Sequence, residues 1–207
     1  MRSPEEDDPL QDLVEAFKPL QQQVAERGVG GVGTADLASA CERLFPLFEY
    51  LGPVFGFAAE DFKHKTRDVA VAAEEFPTVD LIVQYGLDTG TMRKKNGKTR
   101  NLQGLKNGCR FVHILFCKML GSPELKLSAA ASEAYKVALE PYHILPVKLA
   151  VKAGICTLPS REAFLARLGE TETSAMSKFQ SFVDRSCTLV EQLENLYQQA
   201  LRDTKKR

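Results

Sequence analysis

The chain has 207 residues, and its 27 lysines and arginines balance its 27 aspartates and glutamates, so the formal net charge is zero. A length of this order suits one domain with a substantial core, and the balance excludes a global basic field that would draw in nucleic acid. Five cysteines, at 41, 109, 117, 156 and 187, lack paired short spacings, which predicts reduced thiols in a cytosolic core rather than a disulfide framework or a zinc site. The acidic opening MRSPEEDDP predicts neither a secretory nor a mitochondrial leader. No apolar run approaches the roughly 20 residues needed to cross a bilayer.

Apolar residues recur at helical spacing in nearly every segment. Leu10, Leu13, Val14, Phe17 and Leu20 predict a first amphipathic helix that fades into a glycine-rich loop at 28–33, too irregular for a phosphate cradle. Thr34 or Asp36 caps a second pattern through Leu37, Cys41, Leu44, Phe48, Leu51, Phe55, Ala58, Phe62 and Val69, which Pro46 and Pro53 kink or divide. A shorter helix follows at 79–85, where Leu81-Ile82-Val83 is the one strand-like triplet. The polar run 94–98 reads as a loop, and Thr99 as the cap of a helix carrying Leu102, Leu105, Val112, Leu115, Phe116 and Met119. Ser122-Pro123 ends it. Helices at 128–139, 147–153 and 161–168 come next, with Pro141 and Pro146 bracketing an irregular joint. The last helix sets Phe179, Phe182, Val183, Val190, Leu193 and Tyr197 on one stripe. The expectation is an all-α single domain over residues 8–203, its helices packed in layers, with flexible termini at 1–7 and 204–207.

One stretch, Ala58-Ala-Glu-Asp-Phe-Lys-His-Lys-Thr-Arg67, breaks the apolar pattern with a run of ionisable side chains. At about 100° per residue, with Phe62 at the centre of the stripe, Glu60, Lys63, His64 and Arg67 face solvent. Lys65 lies only about 60° from the centre and Asp61 about 100°. The two are four residues apart with the acid first, the favoured order for a pair. One reading is an exposed ion pair worth about 0.3–0.5 kcal/mol. The other is a carboxylate acceptor and an ammonium donor at the rim of an apolar cavity, suited to a ligand with a polar head and a greasy tail. Elsewhere His64 and His113 lack a second ligand at metal spacing, and no nucleophile elbow, Walker loop or dinucleotide fingerprint is present. No metal or cofactor is predicted. The lysines of 94–98 read as a solvated loop, with anionic lipid as the alternative contact.

Asp61-x-x-x-Lys65 after a Phe-rich helix, Thr99-Arg100-Asn101-Leu102 opening a later one, and Pro141-Tyr142-His143 before a proline-interrupted one stand in a specific order. Together with Leu13-Val-Glu-Ala-Phe-Lys18, Leu44-Phe-Pro-Leu-Phe48 and Thr157-Leu-Pro-Ser-Arg161, this order resembles the glycolipid transfer protein superfamily. The nearest branch is that of ceramide-1-phosphate transfer proteins, including the plant accelerated-cell-death type. The resemblance implies a two-layer helical sandwich enclosing a hydrophobic lipid pocket. It also implies non-enzymatic transfer of a sphingolipid, most simply ceramide-1-phosphate, by a cytosolic protein that touches membrane surfaces transiently. By the same resemblance Asp61 accepts from the ceramide amide and sphingoid hydroxyl, His143 donates to the amide carbonyl, and Lys65 and Arg100 hold the phosphate. The chain has no tryptophan, which argues against the stacking platform of a sugar-binding relative. A second arginine, usual four residues after the first in the phosphate-selective branch, is replaced here by Gly104. Lys106 is the candidate auxiliary phosphate contact. Gly104 and Gly108 have the spacing of close helix packing, or else Gly104 widens the pocket mouth. The alternative function is a helical lipid sensor or interaction scaffold with an altered head-group preference.

Overall fold

The computed structural model describes residues 8–52 and 55–204; the expected terminus at 1–7, the expected terminus at 204–207 apart from Thr204, which is the last residue of a helix, and the expected division at Pro53 lie outside them. Helix α1 spans Pro9–Arg27: the Asp8 carboxylate accepts from the Gln11 amide at 2.9 Å, and Leu10, Leu13, Phe17, Leu20 and Val24 form its buried stripe. The second sequence pattern is divided, into α2 (Thr34–Glu42), α3 (Phe45–Tyr50) and α4 (Gly56–Ala72). Pro46 opens α3, where its missing N–H has no partner to lose.

Helix α4 corrects one detail of the wheel. In α4 the buried residues are Ala59, Phe62, Thr66, Val69 and Ala72, and Ala58 is exposed. Ala58 lies about 40° from Phe62 on the wheel, but it sits in the first turn of α4, where Phe57 beside it is also exposed. Lys63, expected on the solvent face, is instead half-buried over the Phe45 ring and bonded to Glu49 at 2.6 Å.

Helix α5 (Val79–Asp88) absorbs the strand-like triplet, burying Val79, Ile82, Val83 and Gly86 on one face. Helix α6 (Lys98–Gly121) starts at the cap Gly97, not at Thr99. Thr99 is buried inside the first turn and its hydroxyl turns back to the Ile82 carbonyl at 3.4 Å, so it joins helices rather than capping one. Then come α7 (Leu127–Ala138), a 3-10 turn at Glu140–Tyr142, α8 (Leu145–Ile155), α9 (Arg161–Arg167, capped by Ser160) and the long α10 (Glu172–Thr204).

These helices form a two-layer sandwich in which α6 is central, touching α4, α5, α7 and α10, while α1 lies along α10 and α2 along α4. Phe116 stacks on Phe179 at 3.9 Å and meets Phe182, which meets Phe17. Each such burial is worth about 1.5–3 kcal/mol. A second aromatic group joins α3, α4 and α6: Phe62 meets both Phe45 and Phe48, and Phe48 stacks on Phe111. Arg161, buried, donates to Glu172 and to the carbonyls of Met119 and Ser122, satisfying the C-terminus of α6. Of the five thiols only Cys41 and Cys109 are buried, 3.5 Å apart, whereas Cys156 and Cys187 are exposed. The expectation of a wholly internal set is corrected: Cys156 lies in the turn that ends α8 and Cys187 on the outward face of the last helix.

Candidate lipid head-group site

Asp61 and Lys65 are one turn apart on α4 and form an ion pair. Asp61 keeps 65% of its side chain exposed, Lys65 only 26%. The reason is on α6. The Lys65 stem lies across Gly104, where an added Cβ would stand 2.5 Å from Lys65 Cδ, and one turn on a Cβ at Gly108 would collide with the Phe62 ring. The paired glycines thus admit two α4 side chains, which is the close-packing reading of their spacing. The space at Gly104 is filled by lysine methylenes.

Arg100 is half-buried in the first turn of α6, where the helix dipole adds positive potential. Its neighbour Asn101 is buried and donates to Asp68 on α4 at 2.8 Å, which fixes the start of α6 against the helix bearing Asp61 and Lys65.

His143 follows the 3-10 turn, its Nδ1 3.1 Å from the Tyr135 hydroxyl and the two rings 5.6 Å apart. Burial pushes its pKa below the ordinary 6.5; the charges of Lys65, Lys148 and Arg100 push the same way, and Asp61 opposes them. The imidazole is therefore neutral at pH 7. Asp61 and Lys65 from α4 and Arg100 from α6 thus all act on His143 in the α7–α8 connection.

Lys106 belongs to a different group. Its side chain is fully buried and ion-paired to Glu194 on α10, which Arg110 also meets at 3.0 Å. The Lys106 ammonium lies 5.4 Å from the centre of the Tyr142 ring and 5.6 Å from that of Tyr197. Burial pushes its pKa down against the Glu194 contact. The expected auxiliary phosphate contact is thus committed to a carboxylate behind Tyr142. Tyr142 feels the charges of Glu194, Arg110 and Arg100, so the turn carrying His143 is set between the two charged groups. Sequence reasoning missed Tyr135 and Lys148 as members of this region. Tyr135 lies eight residues before His143, and the 3-10 turn brings the two together.

Beyond His143 the chain presents Ile144 and Leu145 to solvent, 70% and 67% exposed, with Leu149 a turn later. Among the described residues no helix is long and apolar enough to cross a membrane.

An all-helical sandwich with a carboxylate and cations acting on a histidine beside exposed apolar residues defines the class of proteins that bind amphiphiles. The family described as "Glycolipid transfer protein (GLTP)" matches residues 32–170, and the chain belongs to it. Accelerated cell death 11 of Arabidopsis thaliana is 31% identical over 198 residues, 95% of this chain and 96% of that one. The ACD11 homolog protein of the same plant is 30% identical over 194 residues, 91% and 85% of the two chains. Among solved structures, an aspartate-to-alanine mutant of Arabidopsis ACD11 complexed with C12 ceramide-1-phosphate matches with TM-score 0.86 at 30% identity, over 93% of this chain and 96% of that one. Human ceramide-1-phosphate transfer protein in complex with 12:0 ceramide-1-phosphate matches in fold, with TM-score 0.78 at 20% identity over 90% and 95% of the chains.

Proposed function

We propose that the protein is a non-enzymatic cytosolic carrier that moves ceramide-1-phosphate, or a close phosphate-headed sphingolipid, between membrane surfaces. The observation that carries this reading is that the charges of Asp61, Lys65 and Arg100 all act on His143, in a chain of the glycolipid transfer protein family. Membership of the family and similarity to a relative solved with ceramide-1-phosphate support it.

Each residue has a matching task. Asp61, the carboxylate of the cluster, is largely exposed and accepts from the ceramide amide and hydroxyl. Lys65 and Arg100 meet the phosphate through charge-assisted bonds, about twice as strong as neutral ones. In the tautomer that lets the Tyr135 hydroxyl donate to Nδ1, the His143 proton sits on Nε2 and serves the amide carbonyl. An unmatched buried polar group costs about 1–3 kcal/mol, which is the basis of selection among heads. Behind the cluster, Phe62, Phe48 and Phe111 provide the apolar ground that receives the chains; each methylene sheltered contributes about 0.8 kcal/mol. Ile144, Leu145 and Leu149 meet the membrane while the head is read. Residues 8–203 act as one unit in this scheme.

Vesicle-to-vesicle transfer of labelled ceramide-1-phosphate tests it. Transfer that depends on protein concentration is expected, with the lipid's mass unchanged afterwards. Binding without transfer favours a sensor; a changed lipid mass overturns the carrier reading in favour of an enzyme.

A further inference from the structure

Gly104 interrupts the side-chain cover of α6 at the point where Lys65 crosses it. A Cβ there would stand 2.5 Å from Lys65 Cδ and 3.2 Å from Cε, so the groove and the lysine stem fit only in the absence of a side chain. A helix interior favours alanine over glycine, and helix packing alone accounts for Gly108, which faces an aromatic ring, better than for a glycine that faces a flexible stem. The groove removes rotamer freedom from Lys65 before any ligand arrives, and it delivers the ammonium to Asp61.

We propose that Gly104 is a specificity-determining residue: by seating the Lys65 stem on α6 it latches Lys65 onto Asp61 in the lipid-free protein, so that the site opens to head groups that bring a phosphate. This rests on the head-group reading given above. The ammonium holds Asp61 Oδ2, so the amide and the hydroxyl of a ceramide can each have a carboxylate oxygen of their own only when the ammonium finds another partner. A phosphate replaces the carboxylate as the partner of Lys65, so the exchange costs little. An uncharged head offers no such replacement and leaves a half-buried ammonium without an anion. A side chain at 104 expels the stem toward solvent, loosens the latch and erodes the discrimination, leaving Arg100 as the seated cation.

Native mass spectrometry of the full chain, offered equal ceramide-1-phosphate and uncharged ceramide of the same chain length, tests this. The wild type is expected to favour the phosphate by about a hundredfold and Gly104→Ala by about tenfold. In a Lys65→Ala background, adding Gly104→Ala is expected to change the ratio by less than about twofold. A Gly104→Ala ratio within about twofold of wild type, or the same drop with and without Lys65, overturns the role of Gly104 while leaving the carrier reading intact. A wild type that takes up no ceramide-1-phosphate overturns both. Should Gly104→Ala not fold, the lipid-free wild type still decides: a nuclear Overhauser contact between Gly104 Hα and the Lys65 δ-methylene is expected, and its absence overturns the proposal.

Discussion

Lys106 and Glu194 form an ion pair between α6 and α10 in which the lysine side chain is fully buried and that of the glutamate 17% exposed. Burial alone would raise the Glu194 carboxyl, but Lys106, Gln198 and Arg110 together bring it below the usual carboxylate value. The two partners are not equivalent. Glu194→Gln leaves a buried ammonium without an anion, and removing one member of a buried pair costs about 3–5 kcal/mol. Lys106→Met leaves Glu194 with Arg110 at 3.0 Å and keeps an apolar stem in place. Urea unfolding should therefore show a large loss of stability for Glu194→Gln and a clearly smaller one for Lys106→Met. Equal losses would mean that Arg110 does not sustain Glu194.

The cations of the head-group cluster act on the ligand rather than on the fold. Lys65 and Arg100 are both partly exposed, so Lys65→Ala and Arg100→Ala should unfold within about 0.5 kcal/mol of wild type. Each should weaken ceramide-1-phosphate binding by about 1.5–3 kcal/mol, the range for hydrogen bonds to charged groups. Uncharged ceramide should be held no less well. Asp61→Asn should weaken both lipids, because it removes the acceptor that the shared ceramide part needs. Titration calorimetry with the two lipids checks the pattern; equal losses for both in Arg100→Ala would remove Arg100 from the phosphate site.

Most of this architecture was legible in the sequence because its helices are amphipathic and bounded by prolines and glycines. The stripe of α1 and that of α10 follow from 3.6-residue periodicity alone, since each buries one continuous face, α1 mainly along α10 and α10 between α1 and α6. The failures occur where tertiary contact overrides local preference. Thr99 resembles a cap, yet the approach of α5 buries it, and Ile82 takes its hydroxyl. Asp61 and Lys65 could be placed at the edge of the stripe by counting. That Lys65 would lie in a groove made by Gly104 could not, because the groove belongs to another helix 39 positions away in the chain. Lys106 shows the same limit: its charge suggested a ligand contact, while its partner lies on α10.

The apolar start of α8 gives a prediction that separates docking from binding. Leu145 and Leu149 are exposed one turn apart, just past His143, and placing each in a membrane interface gains about 1.5–3 kcal/mol at most. Leu145→Asp/Leu149→Asp should abolish sedimentation with vesicles and slow transfer by tenfold or more, by about that energy. Binding of a short-chain, soluble ceramide-1-phosphate should be unchanged, as should thermal unfolding, because neither leucine packs in the core. Normal transfer by this variant would place docking on another face.

Two histidines give the lipid-free protein a distinctive acid response. Burial lowers the pKa of His143, with Lys65, Lys148 and Arg100 adding to the effect, and burial alone lowers that of His113, whose Nδ1 is 2.8 Å from Ser186 Oγ. In the unfolded chain both take up a proton at about pH 6.5. Between that value and the lower folded ones the unfolded state holds more protons, so stability is full above the unfolded pKa and is lost as pH falls through the folded values. Thermal unfolding of the lipid-free protein should therefore shift downward between about pH 7 and pH 5, the window in which histidine titrates. Bound phosphate places negative charge beside His143 and Lys65, raises the histidine pKa again and removes its share of the loss. The shift should be smaller with ceramide-1-phosphate present, and His143→Gln should shrink it in the lipid-free protein while His113 keeps the remainder. An acid shift of equal size with and without lipid would separate His143 from the phosphate.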